Sequence, residues 1–145
     1  WATSYAKEGS IVPYKNSRRQ KLKLYKALCE FREEIVAGTV RPLVHPSPQA
    51  ADYFPDNHLD MVYIDAFHTE EACYADILAW VPKVKKGGWV AGHDYHERSA
   101  GGPCGVPAAV NRYVRENNIK LHLTDDDPLP LHGVVWHSKT WWFRK

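Results

Sequence analysis

The sequence predicts a layered α/β domain built on a mostly parallel sheet. Strand-like and helix-like segments alternate from residue 40 to residue 124, the pattern of parallel strands joined by right-handed helical crossovers. Within that span "MVYI", Met61 to Ile64, is apolar at successive positions, as in a strand buried on both faces of a parallel sheet. Two successive strand candidates also stop at acid or imidazole groups, the first at Asp65 and the second at His93-Asp94.

The elements follow in order. Residues 15–37 read as a helix, with Leu24, Tyr25, Leu28, Phe31 and Ile35 at three- and four-residue steps, and Gly38 suits its C-terminal cap. "VRPLVH", Val40 to His45, is a short strand candidate near an edge, because Pro42 cannot donate to a ladder. "SPQAADYF" predicts a short helix with Ser47 as N-cap and Pro48 at its first position. Leu59 to Asp65 is the first firm strand. Thr69 caps the next helix, whose first turn carries Glu70 and Glu71. Cys73, Ile77, Trp80 and Val81 form its apolar stripe, and Pro82 ends it. "KKGG" is read as a turn, "WVAGHD" as a strand and "YHERSAGGPCG" as a glycine-rich loop. Val106 to Asn117 is a helix facing inward through Val110, Tyr113 and Val114. "IKLHLT" alternates as a strand does, and "GVVWHSKTWWFRK" gives one or two terminal strands, with the Trp141-Trp142 pair as core and edge packing.

No repeat or internal boundary interrupts the 145 residues, so a single domain, 1–145, is expected. A net charge of +2 is too small to argue for a nucleic-acid partner. The basic run Arg18, Arg19, Lys21, Lys23 and Lys26 reads as a solvated helix face. No apolar run has the length of a membrane helix. The three cysteines, without CxxC spacing, fit a reducing, cytoplasmic setting. The glycine-rich loop lacks GxGxxG spacing, and nothing beside Cys104 marks a nucleophile.

In an open parallel sheet, ligands bind beyond the carboxyl ends of the strands. If the two strands are neighbours, Asp65, His93 and Asp94 converge on one rim, and His68 on the following loop can point at the same spot. Such a group makes either a divalent-metal site or an acid/base pair. Each residue also has a structural reading. Asp65 can form a turn, His68 can bond backbone, His93 can be a satisfied buried histidine and Asp94 can cap the loop. Their joint placement at consecutive strand ends favours chemistry.

"DMVYIDAFHTEEACYADILAWVPKVKKGGWVAGHDY", with "GVPAAVNRYV" and the closing "TWWFRK", resembles the class I S-adenosylmethionine-dependent methyltransferases, closest to a small O-methyltransferase branch. The likeness is specific over residues 59–114. It implies a Rossmann-like sheet, mostly parallel, with an antiparallel C-terminal strand. It also implies methyl transfer from S-adenosylmethionine to a small hydroxylated acceptor. By motif position, Asp65, His93 and Asp94 correspond to ligands of a divalent metal (Mg or Mn), and His68 with Asp65 to the catalytic groups. Ser47, Asp65, Ala66 and Phe67 correspond to cofactor-side positions. Phe67 stands where many relatives carry a second acid. His93 replaces a carboxylate, which suits a softer ion than magnesium.

The glycine-rich cofactor loop and the ribose-binding acid of such proteins are not visible in the sequence, and Trp1 matches a position just after their second strand. The sheet is therefore expected to be incomplete at its N-terminal side, leaving one edge of the "MVYID" strand open and favouring a homo-oligomer. Loop 96–105 and the connection 125–132 are expected to shape the acceptor side. The rival expectations are a catalytically silent interaction module, which would not bind the cofactor, and a metal-dependent hydrolase, which would bind metal alone.

Overall fold

The computed structural model describes residues 18–96, 98–99, 102–124, 129–131, 134–136 and 139–145. The chain divides into two compact units, Thr3–Pro46 and one made chiefly of Ser47–Lys145.

In the first unit, the helix expected over 15–37 is two helices, α1 (Arg18–Glu30) and α2 (Arg32–Val36); residues 15–17 lie outside the described part. The break is at Phe31, whose φ of −100° and ψ of 27° leave helical geometry. Gly38 ends α2 as expected. Its φ is +75°, its N–H donates to the Ile35 carbonyl, and the Thr39 N–H donates to the Glu34 carbonyl. That pair of bonds is a Schellman cap, which needs a residue free to adopt positive φ. The strand expected at Val40–His45 does not form. A strand exists only through a hydrogen-bonded neighbour, and Pro42 removes one of the donors.

The second unit starts with α3 (Ser47–Ala50) and a 3-10 turn, Ala51–Tyr53. Then come β1 (Leu59–Ile64), α4 (Glu70–Trp80), β2 (Val84–Gly92), a small hairpin of β3 (Arg98–Ser99) and β4 (Gly102–Pro103), and α5 (Val106–Glu116). β5 (His122–Leu123), β6 (Leu129–Leu131), β7 (Val134–Trp136) and β8 (Trp141–Arg144) complete it. Thr69 caps α4 as predicted, accepting the Ala72 N–H at 3.3 Å, and Pro82 lies in a 3-10 turn that closes the helix. "KKGG" is not a separate turn. Leu59 pairs with Val84 and Met61 with Trp89, so Lys85–Gly88 sit opposite Asp60 alone as a bulge within β2, with Gly87 at a φ of +78°.

The main sheet has the order β1-β2-β8-β5. β1 and β2 are parallel, and β8 runs antiparallel to both of its neighbours. The core lies on one face, where Ile64, Val90, Trp141 and Phe143 meet Cys73 and Ile77 of α4 and Val110 and Tyr113 of α5. Alternation along the strands puts Met61, Tyr63 and Trp89 on the other face, 52%, 47% and 36% exposed. β1 is thus not buried on both faces, as its unbroken apolar run suggested; it is an edge strand among the described residues. Trp141 is fully buried, while Trp142 stacks on His122 with ring centroids 3.9 Å apart. No helix among the described residues is long and apolar enough to cross a membrane.

Candidate active site at the strand carboxyl ends

Parallel pairing brings the ends of β1 and β2 level, with Ile64 opposite Gly92. The His93 N–H donates to the Ile64 carbonyl at 3.1 Å. A side chain at position 92 has no room, since a Cβ there would lie 2.5 Å from both the Ile64 oxygen and the Trp141 ring. The Trp141 indole N–H in turn donates to the His93 carbonyl at 3.2 Å. Asp94 follows in the left-handed region, φ 59°, which aspartate tolerates better than most residues. Its carbonyl accepts the His96 N–H at 2.8 Å and the Cys104 thiol at 3.4 Å. The loop before α5 closes on the same place. The Gly105 N–H donates to the His68 carbonyl at 2.7 Å, and a Cβ on Gly105 would meet the Glu70 nitrogen at 2.2 Å.

Three imidazoles surround the Asp94 carboxylate. His68 Nε2 lies 2.8 Å from Oδ2. His93 Nδ1 and His96 Nε2 lie 3.2 and 3.1 Å from Oδ1. Burial pushes the Asp94 carboxyl up, but the His96 hydrogen bond and the His68 and His93 rings outweigh it and hold the group below the usual carboxylate range. Asp94 is therefore an anion at neutral pH and accepts hydrogen bonds only. Asp65, His68 and Asp94 each offer an atom within 4.8 Å of the others, close enough for a common ion.

Asp65, Ala66, Phe67, His68, His93 and Asp94 line one small pocket, backed by Cys73 and Val106. The two strand ends thus converge as the sequence suggested. The trio with converging ligand atoms holds His68 rather than His93, which instead meets Asp94 through Nδ1. Ser47 lies elsewhere, its hydroxyl accepting the Trp80 indole N–H at 3.0 Å at the end of α4 farther from His68. His96 was missed by sequence reasoning because it falls in the glycine-rich loop; its spacing from Asp94 was the one available signal. Burial pushes the Cys104 thiol up and the Cys73 thiol up to about 12, so neither is primed as a nucleophile. The connection expected to shape the acceptor side lies largely outside the described residues, at 125–128 and 132.

A parallel β1–α4–β2 crossover with acid and imidazole groups gathered past its strand ends defines a Rossmann-like fold with a rim site. More narrowly, the chain belongs to a methyltransferase family: the family model described as "Methyltransferase domain" matches residues 4–95. A solved S-adenosylmethionine-dependent methyltransferase from Archaeoglobus fulgidus superposes with a TM-score of 0.52 at 11% identity, over 88% of this chain and 82% of that one. A Corynebacterium glutamicum protein superposes with a TM-score of 0.52 at 12% identity, over 86% of this chain but only 56% of that one. At such identities the likeness is one of fold. No curated protein sequence matches the chain significantly.

Proposed function

We propose that this protein works as an S-adenosylmethionine-dependent O-methyltransferase acting on a small hydroxylated acceptor, with His68 as general base and Asp94 as its orienting carboxylate. The 2.8 Å contact between His68 Nε2 and Asp94 Oδ2 carries this reading. An anionic carboxylate must receive a proton-bearing nitrogen, so in the neutral ring, the form a base needs, Nε2 of His68 holds the hydrogen and Nδ1 keeps the lone pair. His68 can then remove the acceptor's hydroxyl proton while Asp94 stabilises the imidazolium that forms. S-adenosylmethionine, when bound, supplies the sulfonium methyl group and leaves as a neutral thioether. Asp65, Ala66 and Phe67, at the end of β1, are the residues that would meet it.

A second reading has one observation in its favour, the converging trio Asp65, His68 and Asp94. These residues fit a divalent cation in number and type, and the mixed oxygen and nitrogen donors suit manganese, iron or zinc better than magnesium. A bound ion would polarise the acceptor hydroxyl. The two readings make opposite demands on His68, one using it as a base and the other as a ligand.

Calorimetric titration with S-adenosylhomocysteine, with and without Mn²⁺, tests the proposal. Micromolar binding, about −8 kcal/mol, is expected without metal. His68→Ala should keep that affinity while S-adenosylhomocysteine release during turnover falls by roughly 10²–10⁴-fold. No binding by the folded chain would favour the silent interaction module. Turnover surviving in His68→Ala within a few-fold would remove His68 as the base.

A further inference from the structure

We infer that His96 is the positioning residue of this centre, holding the Asp94 carboxylate so that its Oδ2 meets the ring of His68. The inference rests on the reading of His68 and Asp94 as a base and its orienting group.

His96 grips Asp94 at two points. Its backbone N–H donates to the Asp94 carbonyl at 2.8 Å, and its Nε2 lies 3.1 Å from Oδ1. Asp94 needs such anchoring. It sits at a φ of 59°, a left-handed conformation that aspartate tolerates but that neighbouring contacts help to hold. With Oδ1 held from this side, Oδ2 is the oxygen left facing His68. The His93 ring also reaches Oδ1, but its side chain is 39% exposed against 21% for His96, so water competes more strongly for the His93 contact.

The other end of the ring supplies the second argument. His96 Nδ1 is buried and has no hydrogen-bond partner among the described residues. With Nε2 turned to the acceptor Oδ1, a neutral ring has its hydrogen on Nε2 and leaves Nδ1 as a buried lone pair, which is unfavourable. An apolar ring would avoid that cost. A histidine is useful at this position for the one bond that it makes, the bond to Oδ1.

The test reads the tautomer of His68 by nitrogen-15 histidine NMR on the full chain, alongside turnover. The unaltered protein should show His68 protonated at Nε2. In His96→Leu a fraction protonated at Nδ1 should appear, and turnover should fall roughly 10–100-fold, with the KM for S-adenosylmethionine unchanged. His96→Gln places an amide N–H near the Nε2 position and should restore both. His96→Asn, whose amide is too short to reach Oδ1, should not. A His68 tautomer unaltered in His96→Leu overturns the inference. If His96→Leu fails to fold, the Gln and Asn variants decide, and equal behaviour of the two overturns it. Turnover that survives in His68→Ala would sink the base reading, whereas the tautomer signal reports on positioning without any turnover.

Discussion

The two ends of β2 are built in opposite ways. At its amino end, hydrogen bonds converge on the Lys145 side chain and backbone. Lys145 Nζ donates to Asn57 Oδ1, the Pro82 carbonyl and the Val84 carbonyl at 3.0, 2.9 and 2.8 Å, so each of the three ammonium hydrogens has an acceptor. Backbone bonds tie Gly87 and Gly88 to Lys145, and Arg144 donates to the Gly87 carbonyl at 2.6 Å. At its carboxyl end, an aspartate sits at positive φ, three imidazoles share one carboxylate and a buried ring nitrogen lacks a partner among the described residues. One end of the strand is finished for stability. The other keeps strain and unused hydrogen-bonding capacity where ligands of such sheets bind.

That contrast would break if the carboxyl end were also soft in its packing. Gly105 tests this with the largest effect expected. Its Cβ would fall within 2.2 Å of the Glu70 backbone nitrogen, and a backbone atom cannot swing aside as a side-chain tip can. Gly105→Ala should cost about 3 kcal/mol in urea unfolding and displace the His68 carbonyl that Gly105 holds. A loss below about 1 kcal/mol would mean that the segment before α5 gives way, and that the rim's polar strain sits on a yielding support.

Lys145→Ala tests the opposite end. Removing a charged donor to three acceptors should cost about 2 kcal/mol, while the S-adenosylhomocysteine affinity and the His68 tautomer stay as they are. An altered rim in that variant would show the two ends of β2 to be coupled.

The contrast also explains what was legible in the sequence. Thr69, Gly38 and the parallel β1–β2 pair follow from local rules: a side-chain cap, a positive-φ terminus, and apolar strands separated by one helix. Asp65, His68, His93 and Asp94 were legible because strand ends of a parallel sheet form a rim wherever they fall in the chain. The failures depend on partners. The Val40–His45 segment has strand-like residues, but no neighbour pairs with it among the described residues. Met61 and Tyr63 look like core yet face outward, because an apolar run does not say whether anything covers its second face. His96 matters only once Asp94 turns left-handed, and a sequence does not announce that turn.

Asp76 lies on α4 between these extremes and carries the smallest effect. It is 3% exposed, and its Oδ1 has no partner among the described residues. Burial pushes its carboxyl above the ordinary value of 3.8, with a hydrogen bond from Ser47 opposing the shift. For an acid raised in the folded state, the unfolded chain ionises first as pH rises. The associated stability is therefore full below pH 3.8 and is lost as pH climbs through the folded value. Asp76→Asn removes the ionisation but keeps the size and a polar group for Ser47. Its stability advantage over the unaltered protein should grow with pH and reach about 1 kcal/mol near neutrality, the usual scale of one stabilising substitution. Urea unfolding measured from pH 4 to pH 7 reads that slope. A difference that stays flat would mean that the Ser47 bond offsets the burial, and that polar strain in this unit is confined to the rim.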